Sequence, residues 1–207
     1  MVQWARTDLS PSTQLWVPPL GAGDPVCEGV YEQLLVGEEK CFLGSRPSTL
    51  PGYLNEGLAH ASLRVAAGLQ AAGYVGRCSF DFVVTGDVHA EEGAEDEAEF
   101  FFVECNGRWG GTSTPMALVD RCVEGPRPDY IAKDVMHPSL AGAHFKDVLA
   151  RFGDTLFDAA TQEGRFLLYN VGPLQMTGKL DVIALGESPE DAEHAMNTML
   201  PSLLGIS

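Results

Sequence analysis

The chain has 207 residues, a formal net charge of −16 and 45% hydrophobic residues, which is a composition typical of a globular domain. The acidic balance excludes a nucleic-acid surface, because such a surface needs a basic patch, and no apolar run approaches the roughly 18 residues needed to span a membrane. Five cysteines without any Cys-x-x-Cys pair disfavour a disulfide framework and a zinc site, so we expect a reduced, cytoplasmic protein.

Short strands followed by one long helix are predicted in the first third of the chain. Residues 13–17 form a candidate edge strand that a proline pair ends. A further strand is predicted over residues 26–35, with residues 40–44 as its hairpin partner. Apolar and small residues then recur at helical spacing through residues 53–72, and Gly73 provides a C-terminal stop. We expect this helix to pack on the sheet formed by the next two strands.

Two β-like runs in the middle of the chain carry polar residues. In residues 78–84, Asp81 lies in an apolar strand, where a carboxylate is costly to bury without a cationic or metal partner. In residues 101–106, Glu104 and Asn106 share a strand face because they are two residues apart. If the two runs pair as an antiparallel hairpin, three oxygen ligands of the kind that Mg²⁺ prefers converge on one sheet surface.

Asp81, Glu104 and Asn106, here called the acidic trio, and the residues near them allow other interpretations. Arg108 follows at the same spacing, and its planar guanidinium suits a phosphate or a carboxylate. In a purely structural alternative, Asp81 ends a strand and Glu104 begins an ordinary turn. A hydrolase with Asp81 and Glu104 as paired carboxylates would leave Asn106 and the following glycines without a role. Cys105 points to the other side of its strand, and we interpret it as core filler.

An acidic segment links the two strands, and we predict that it is a solvated, mobile loop without chemistry. It contains Asp87, Glu91, Glu92, Glu95, Asp96, Glu97 and Glu99.

The remainder of the chain reads as a short helix followed by a smaller α/β segment. Ser113 or Thr114 can cap a helix over residues 116–122, whose amino terminus is either an anion site or only a tight turn. A Pro- and Gly-rich break follows, which places a boundary between residues 1–125 and 126–207. The second part is predicted to contain a helix over 139–152, strands over 164–171 and 179–185, and a helix over 188–200 that Ser188 caps and that ends before Pro201. Lys179 is interpreted as a strand-edge charge.

Two stretches together resemble the C-terminal half of an ATP-grasp ligase, with the best likeness to the pheganomycin-type amino-acid and peptide ligases. The resemblance covers roughly residues 28–122, and the last third of the chain is similar to the end of such ligases. The stretches are Gly73-Tyr-Val-Gly-Arg-Cys-Ser-Phe-Asp-Phe-Val and Phe102-Val-Glu-Cys-Asn-Gly-Arg-Trp-Gly-Gly-Thr.

The resemblance implies an α+β fold in which an antiparallel sheet is flanked by helices and followed by a small β-β-α segment. It also implies that Asp81, Glu104 and Asn106 hold the Mg²⁺ of Mg-ATP. Asn106 and Arg108 would contact the nucleotide, and Arg108 would also hold the transferred phosphoryl group. Gln33 is a candidate contact on the substrate side of the cleft, or else only a surface residue. The implied reaction is ATP-dependent ligation of a carboxylate, from an amino acid or peptide, to an amine through an acyl phosphate.

The resemblance further implies a second lobe with phosphate-binding lysines and a glycine-rich flap. Lys40 is the only lysine before residue 133, so we expect the chain to be the metal-bearing half of such a ligase. Another lobe or a partner chain would then complete the cleft. The alternative is a non-catalytic remnant that serves as a binding or interaction module.

Overall fold

A computed structural model describes residue 7 and residues 9–90 and 97–206 of the chain. The described strands are β1 (Pro11–Val17), β2 (Val26–Val36), β3 (Cys41–Pro47), β4 (Gly76–Thr85), β5 (Glu99–Asn106), β6 (Asp129–Met136), β7 (Phe166–Tyr169) and β8 (Lys179–Gly186). The described α-helices are α1 (Gly52–Ala71), α2 (Ser113–Cys122), α3 (Phe145–Phe152), α4 (Leu174–Thr177), α5 (Pro189–His194) and α6 (Leu200–Leu204). Short 3₁₀ turns cover Pro138–Leu140 and Gly153–Thr155, and a π turn covers Ala195–Met199.

The chain divides into two units, and the predicted α+β class with antiparallel strands and flanking helices is confirmed. The first unit contains Met1–Phe42 and Pro47–Thr114, and the second contains Leu43–Arg46 and Pro115–Ser207. No described helix combines the length and the apolar character needed to cross a membrane.

The sheet of the first unit has the strand order β5-β4-β1-β2, and its neighbouring strands are antiparallel. Because side chains alternate along a strand, β1 sends Thr13 and Leu15 to one face and Ser12 and Gln14 to the other. The first face is covered by α1, whose Ser62 hydroxyl lies 2.8 Å from that of Thr13. This core contains Leu15, Val17, Leu54, Leu58, Ala66, Cys78, Phe80, Phe82 and Val84. Each fully buried leucine or phenylalanine there contributes roughly 2 kcal/mol.

The helix predicted over residues 53–72 is confirmed as α1, which ends just before Gly73 with its positive φ of 94°. The predicted strands over 26–35, 40–44 and 78–84 are likewise present as β2, β3 and β4. Of the predicted acidic loop, residues 91–96 lie outside the described part of the chain.

The sheet of the second unit joins β6, β8 and β7 in antiparallel order, and Gly44 and Ser45 of β3 pair with β6. Gly44 is required at this crossing because a Cβ there would lie 2.0 Å from the carbonyl oxygen of Ala132. Along one face of β8, α5 packs so closely that a Cβ on Gly186 would lie 2.4 Å from the Ala192 nitrogen. Small residues therefore set the spacing of both contacts.

Several predicted elements of the second unit were wrong in extent. The predicted helix over 139–152 is a 3₁₀ turn and the shorter α3, because Gly142 breaks it with a φ of 82°. The strand predicted over 164–171 is only β7, which ends before Asn170 at a φ of 45°. Strand β6 was not predicted at all.

The last helix also differs from its predicted extent at one end. Ser188 caps it as predicted, because its hydroxyl accepts a hydrogen bond of 3.2 Å from the Asp191 amide. The helical path does not stop before Pro201 but continues through α6. A proline cannot donate the regular helical hydrogen bond, and the π turn before it widens the helix where that bond is lost.

Candidate functional site

The predicted pairing of the two central strands is confirmed. Strands β4 and β5 are antiparallel, with Asp81 opposite Glu104 and Ser79 opposite Asn106. Directly opposed residues point to the same side of a sheet, so the carboxylates of Asp81 and Glu104 and the amide of Asn106 share one face. This is the face of the first unit's sheet that α1 does not cover, since Ser12 of β1 lies opposite Asp81.

A β-bulge makes this arrangement compatible with the core. The partner of Asp81 is Glu104, but the partner of the next residue, Phe82, is Phe102, so Val103 is an extra residue in β5. Phe102 packs edge-to-face on Phe82, with ring centres 5.7 Å apart, and thus faces the core. In a regular strand Phe102 and Glu104 would share a face. Because of the bulge, Phe102 faces the core and Glu104 faces the site.

Regular alternation after Glu104 places Cys105 opposite Phe80, on the core face of the sheet, but β5 is the outermost strand and the thiol is exposed. The prediction that Cys105 fills the core was therefore wrong. Partial desolvation of its sulfur, together with the charges of Asp81 and Glu104, raises the pKa of the Cys105 thiol. A raised pKa disfavours the thiolate and hence nucleophilic chemistry at this residue.

Asp81 is partly buried, and its neighbours act on its pKa in opposite directions. Asn106 donates a hydrogen bond of 3.0 Å from Nδ2 to Asp81 Oδ2. Burial raises the pKa of Asp81 and the charge of Glu104 adds to this, while Ser12, Arg108 and Asn106 offset part of it. In the described part of the chain, neither carboxylate forms an ion pair within 4.0 Å. Arg108 thus acts on this pair of carboxylates from beyond ion-pair distance.

All five residues predicted for the site line a single pocket of about 300 Å³ within the first unit. Arg108 and Gln33 contribute to its wall together with the acidic trio, and Gln33 also lies 3.5 Å from the Ser10 hydroxyl through its Nε2. The full lining comprises Ser12, Gln14, Gln33, Phe42, Ser79, Asp81, Glu104, Asn106, Arg108, Gly110, Gly111 and Thr112.

Several of these lining residues were missed in the sequence. Ser12 and Gln14 belong to β1, which begins at Pro11 rather than at residue 13, and both polar side chains are buried there. Ser79 was visible as the neighbour of Asp81 on the same strand face but was given no role. Phe42 had no signal, because only the fold brings its ring to the glycine turn.

The glycine turn after Arg108 is fixed to the sheet by hydrogen bonds. The Ser113 hydroxyl accepts a hydrogen bond of 3.1 Å from the Gly110 amide and donates one of 2.9 Å to Gln14 Oε1. Gly111 lies so close to Phe42 that a Cβ would be 2.7 Å from its ring. Helix α2 begins at Ser113, three residues before the predicted start, and the turn residues Gly110, Gly111 and Thr112 just before it line the pocket.

Comparison with known proteins identifies the fold. No family model and no curated protein matches the sequence. Among solved structures, N5-carboxyaminoimidazole ribonucleotide synthetase in complex with ADP matches with a TM-score of 0.60 at 14% identity, over 98% of this chain and 51% of that one. The same enzyme from Thermus thermophilus matches with a TM-score of 0.60 at 15% identity, over 97% and 52% of the two chains. Both are ATP-grasp ligases. The chain has an ATP-grasp fold.

A further ATP-grasp ligase, a biotin carboxylase–ATP complex from Campylobacter jejuni, matches with a TM-score of 0.55 at 12% identity, over 94% of this chain and 45% of that one. The chain thus spans about half the length of the ATP-grasp structures that it resembles. At these identities the likeness establishes the fold alone, and the chemistry has to be argued from the pocket.

The donor set of the pocket fits a magnesium ion. Two carboxylates and one amide oxygen are hard ligands, and Mg²⁺ usually takes only one or two protein carboxylates and completes its shell with water and phosphate oxygens. Within the described residues no group of three or more His, Cys, Asp or Glu side chains could hold a metal, and the set proposed here has two carboxylates and one amide.

Proposed function

We propose that the chain binds Mg-ATP in this pocket and forms part of an ATP-dependent ligase that joins a carboxylate to an amine. Its substrates would be amino acids or peptides, as the resemblance to pheganomycin-type ligases implies. The observation that carries the proposal is the position of Asp81, Glu104 and Asn106 on one face of an ATP-grasp sheet, in the same pocket as Arg108.

The acidic trio is the proposed metal site. Asp81 and Glu104 would bind Mg²⁺ through their carboxylates and Asn106 through its amide oxygen, and the bound ion would neutralise charge on the ATP phosphates. The hydrogen bond from Asn106 Nδ2 to Asp81 orients both side chains. The amide nitrogen of Asn106 is engaged in it, so the amide oxygen is the atom that would bind the metal. The like charges of Asp81 and Glu104 are directly opposed and form no ion pair with the described residues, so they repel each other and a bound cation would stabilise them.

Arg108 and Gln33 are the proposed contacts to the nucleotide and substrate. In the reaction, the carboxylate oxygen takes the γ-phosphoryl group and ADP leaves; the amine nitrogen then attacks the acyl carbon, and phosphate leaves as the amine loses a proton. The Arg108 guanidinium would stabilise charge on the transferred phosphoryl group. No protein nucleophile is needed for either step, which agrees with a Cys105 thiol of raised pKa.

A second lobe is part of the proposal. The similar ATP-grasp structures are about twice as long as this chain, which supports a nucleotide cleft completed by additional protein. The lobe could belong to the same polypeptide or to a partner chain. It would provide the cations that the first unit's pocket lacks, apart from Arg108, for the remaining phosphate charge.

Calorimetric titration with ATP, with and without Mg²⁺, tests the proposal. We expect Mg²⁺-dependent binding with a dissociation constant between micromolar and low millimolar. Glu104→Gln keeps the side-chain shape and removes the charge, so it should weaken binding at least tenfold, equivalent to about 1.4 kcal/mol. The matched control is Glu99→Gln, an exposed acid on the same strand that should bind Mg-ATP like the unchanged protein.

Two results would contradict the proposal. Equal binding by the Glu104→Gln variant and the unchanged protein would remove the acidic trio from the site. Absence of binding heat in either condition, with circular dichroism showing a folded chain, would favour the alternative of a non-catalytic binding or interaction module.

A further inference from the structure

An aromatic patch extends the pocket along the same sheet face. Arg77, Ser79 and Asp81 alternate along β4 and therefore point to one side. The register of β1 places Trp16 directly opposite Arg77, just as it places Ser12 opposite Asp81. Asp81 is four residues along β4 from Arg77, a distance of about 13 Å at the rise of a β-strand.

The indole of Trp109 lies over this end of the face. The Arg77 guanidinium carbon is 5.0 Å from the centre of its ring. Trp109 Nε1 donates a hydrogen bond of 2.7 Å to the hydroxyl of Thr114, which lies in the first turn of α2. Arg108 and Gly110, the residues on either side of Trp109, both line the pocket, so the patch and the pocket are continuous through the backbone.

The patch is open to solvent, and the charge of its arginine is balanced. Arg77 forms a two-pronged ion pair with the carboxylate of Glu28, one contact being 3.0 Å between Arg77 Nη2 and Glu28 Oε1. Even so, Trp16 and Trp109 remain 42% and 52% exposed. A large aromatic side chain that is held in place yet open to solvent is a strong anchor for a ligand, because it can bury much area at little entropic cost.

We propose that Trp16, Arg77 and Trp109, here called the tryptophan patch, bind an aromatic side chain of a peptide substrate. The proposal rests on the ligase function above, since the reacting carboxylate of that peptide would lie in the pocket. An extended peptide of four residues spans about 13 Å, which matches the separation along β4. The occupant is uncharged because Glu28 already balances the only cation of the patch.

Peptide binding in the presence of Mg²⁺ and a non-hydrolysable ATP analogue tests this. The probes are the tetrapeptides Phe-Gly-Gly-Gly and Ala-Gly-Gly-Gly. We expect the phenylalanine peptide to bind at least fivefold more tightly to the unchanged protein. Trp109→Ala should abolish that preference, while Trp109→Phe should retain most of it. Tyr53→Ala, on the helix that covers the opposite sheet face, is the control and should keep the full preference.

Three results would overturn the tryptophan patch as a peptide site. The first is equal affinity of the unchanged protein for the two peptides, and the second is a preference that survives Trp109→Ala. The third is that Trp109→Ala loses binding of the ATP analogue rather than of the peptide, which would assign the indole ring to the nucleotide. Failure of the ligase function has a different signature. The unchanged protein would not bind the ATP analogue, whether or not a Trp109-dependent peptide preference is found.

Discussion

Each unit contains two carboxylates that face each other across neighbouring antiparallel strands. In the first unit Asp81 lies opposite Glu104, and in the second Asp134 lies opposite Asp181. An asparagine completes both arrangements through its Nδ2, at 3.0 Å from Asp81 Oδ2 in the first and 2.8 Å from Asp181 Oδ2 in the second. In both units, burial raises the pKa of the asparagine-bonded aspartate.

The two pairs differ in how their charge is balanced. Lys179 Nζ lies 2.6 Å from Asp134 Oδ2 and 3.8 Å from Asp181 Oδ1, so the second pair carries its own cation. Across the described ranges, the first pair has Arg108 nearby but no ion pair. A pair that its own chain neutralises needs no further cation, whereas we propose that the first pair takes its cation from a ligand. Lys179 is thus an ion-pair partner of Asp134, and its interpretation as a strand-edge charge rather than a substrate contact stays a prediction.

Removal of the resident cation should have the largest effect. We expect Lys179→Met to lower the free energy of unfolding by about 2 kcal/mol, because it leaves two opposed carboxylates in the second unit. The loss is moderate since the side chains of Lys179 and Asp134 are 29% and 32% exposed. Urea unfolding measures it. Adding Asp181→Asn to the same variant should restore most of the stability, and a Lys179→Met protein as stable as the unchanged one would refute the contrast.

A resident cation can also be introduced into the first pair. Val83 lies two residues after Asp81 on the same strand face, as Lys179 lies two residues before Asp181. Val83→Lys should raise the metal-free melting temperature and weaken Mg²⁺-dependent ATP binding about tenfold, because the ammonium competes with Mg²⁺ for the carboxylates. Val83→Met has similar length without charge and should do neither. Tight Mg-ATP binding by the lysine variant would show that the pair is not the metal site.

The pH dependence of stability should show the smallest effect. A carboxyl whose pKa is raised in the folded state favours folding when protonated, so its contribution is present at low pH and lost as the pH rises from 3.8 through the folded pKa. In Mg²⁺-free buffer, Asp81→Asn should therefore reduce the decline in unfolding free energy above pH 4. Excess Mg²⁺ should also reduce that decline in the unchanged protein, with little further effect on Asp81→Asn. Identical pH profiles for Asp81→Asn and the unchanged protein would contradict the assigned direction.

The core of the first unit was readable from the sequence because its strands alternate regularly. Phe80 and Phe82 on one side, with Asp81 between them, define the two faces of β4 by their alternation alone. That Asp81 faces Glu104 was expected only on the condition that the two runs pair as an antiparallel hairpin, and β4 and β5 meet this condition. The roles assigned to these residues, and the likeness to peptide ligases in particular, remain proposals.

What the sequence could not show depends on local breaks in regularity. The extra residue Val103 cannot be recognised in the sequence. Phe102 before it is apolar and Glu104 after it is acidic, as they would also be in a strand without a bulge. Strand β6 was missed because it follows a proline-rich break and contains Lys133 and Asp134, which mask its alternation. The helix over 139–152 was overextended because Gly142 reads as tolerable within a helix until its positive φ is seen.

The bulge at Val103 has a consequence for self-association. Strand β5 is the outermost strand of its sheet and carries three exposed apolar side chains, Phe101, Phe102 and Val103. A flat edge of this kind is a template on which a second copy of the chain can add a strand. An extra residue twists the edge and interrupts its row of free amides and carbonyls. We therefore expect the residue that turns Glu104 toward the pocket also to disfavour edge-to-edge strand pairing between copies of the chain.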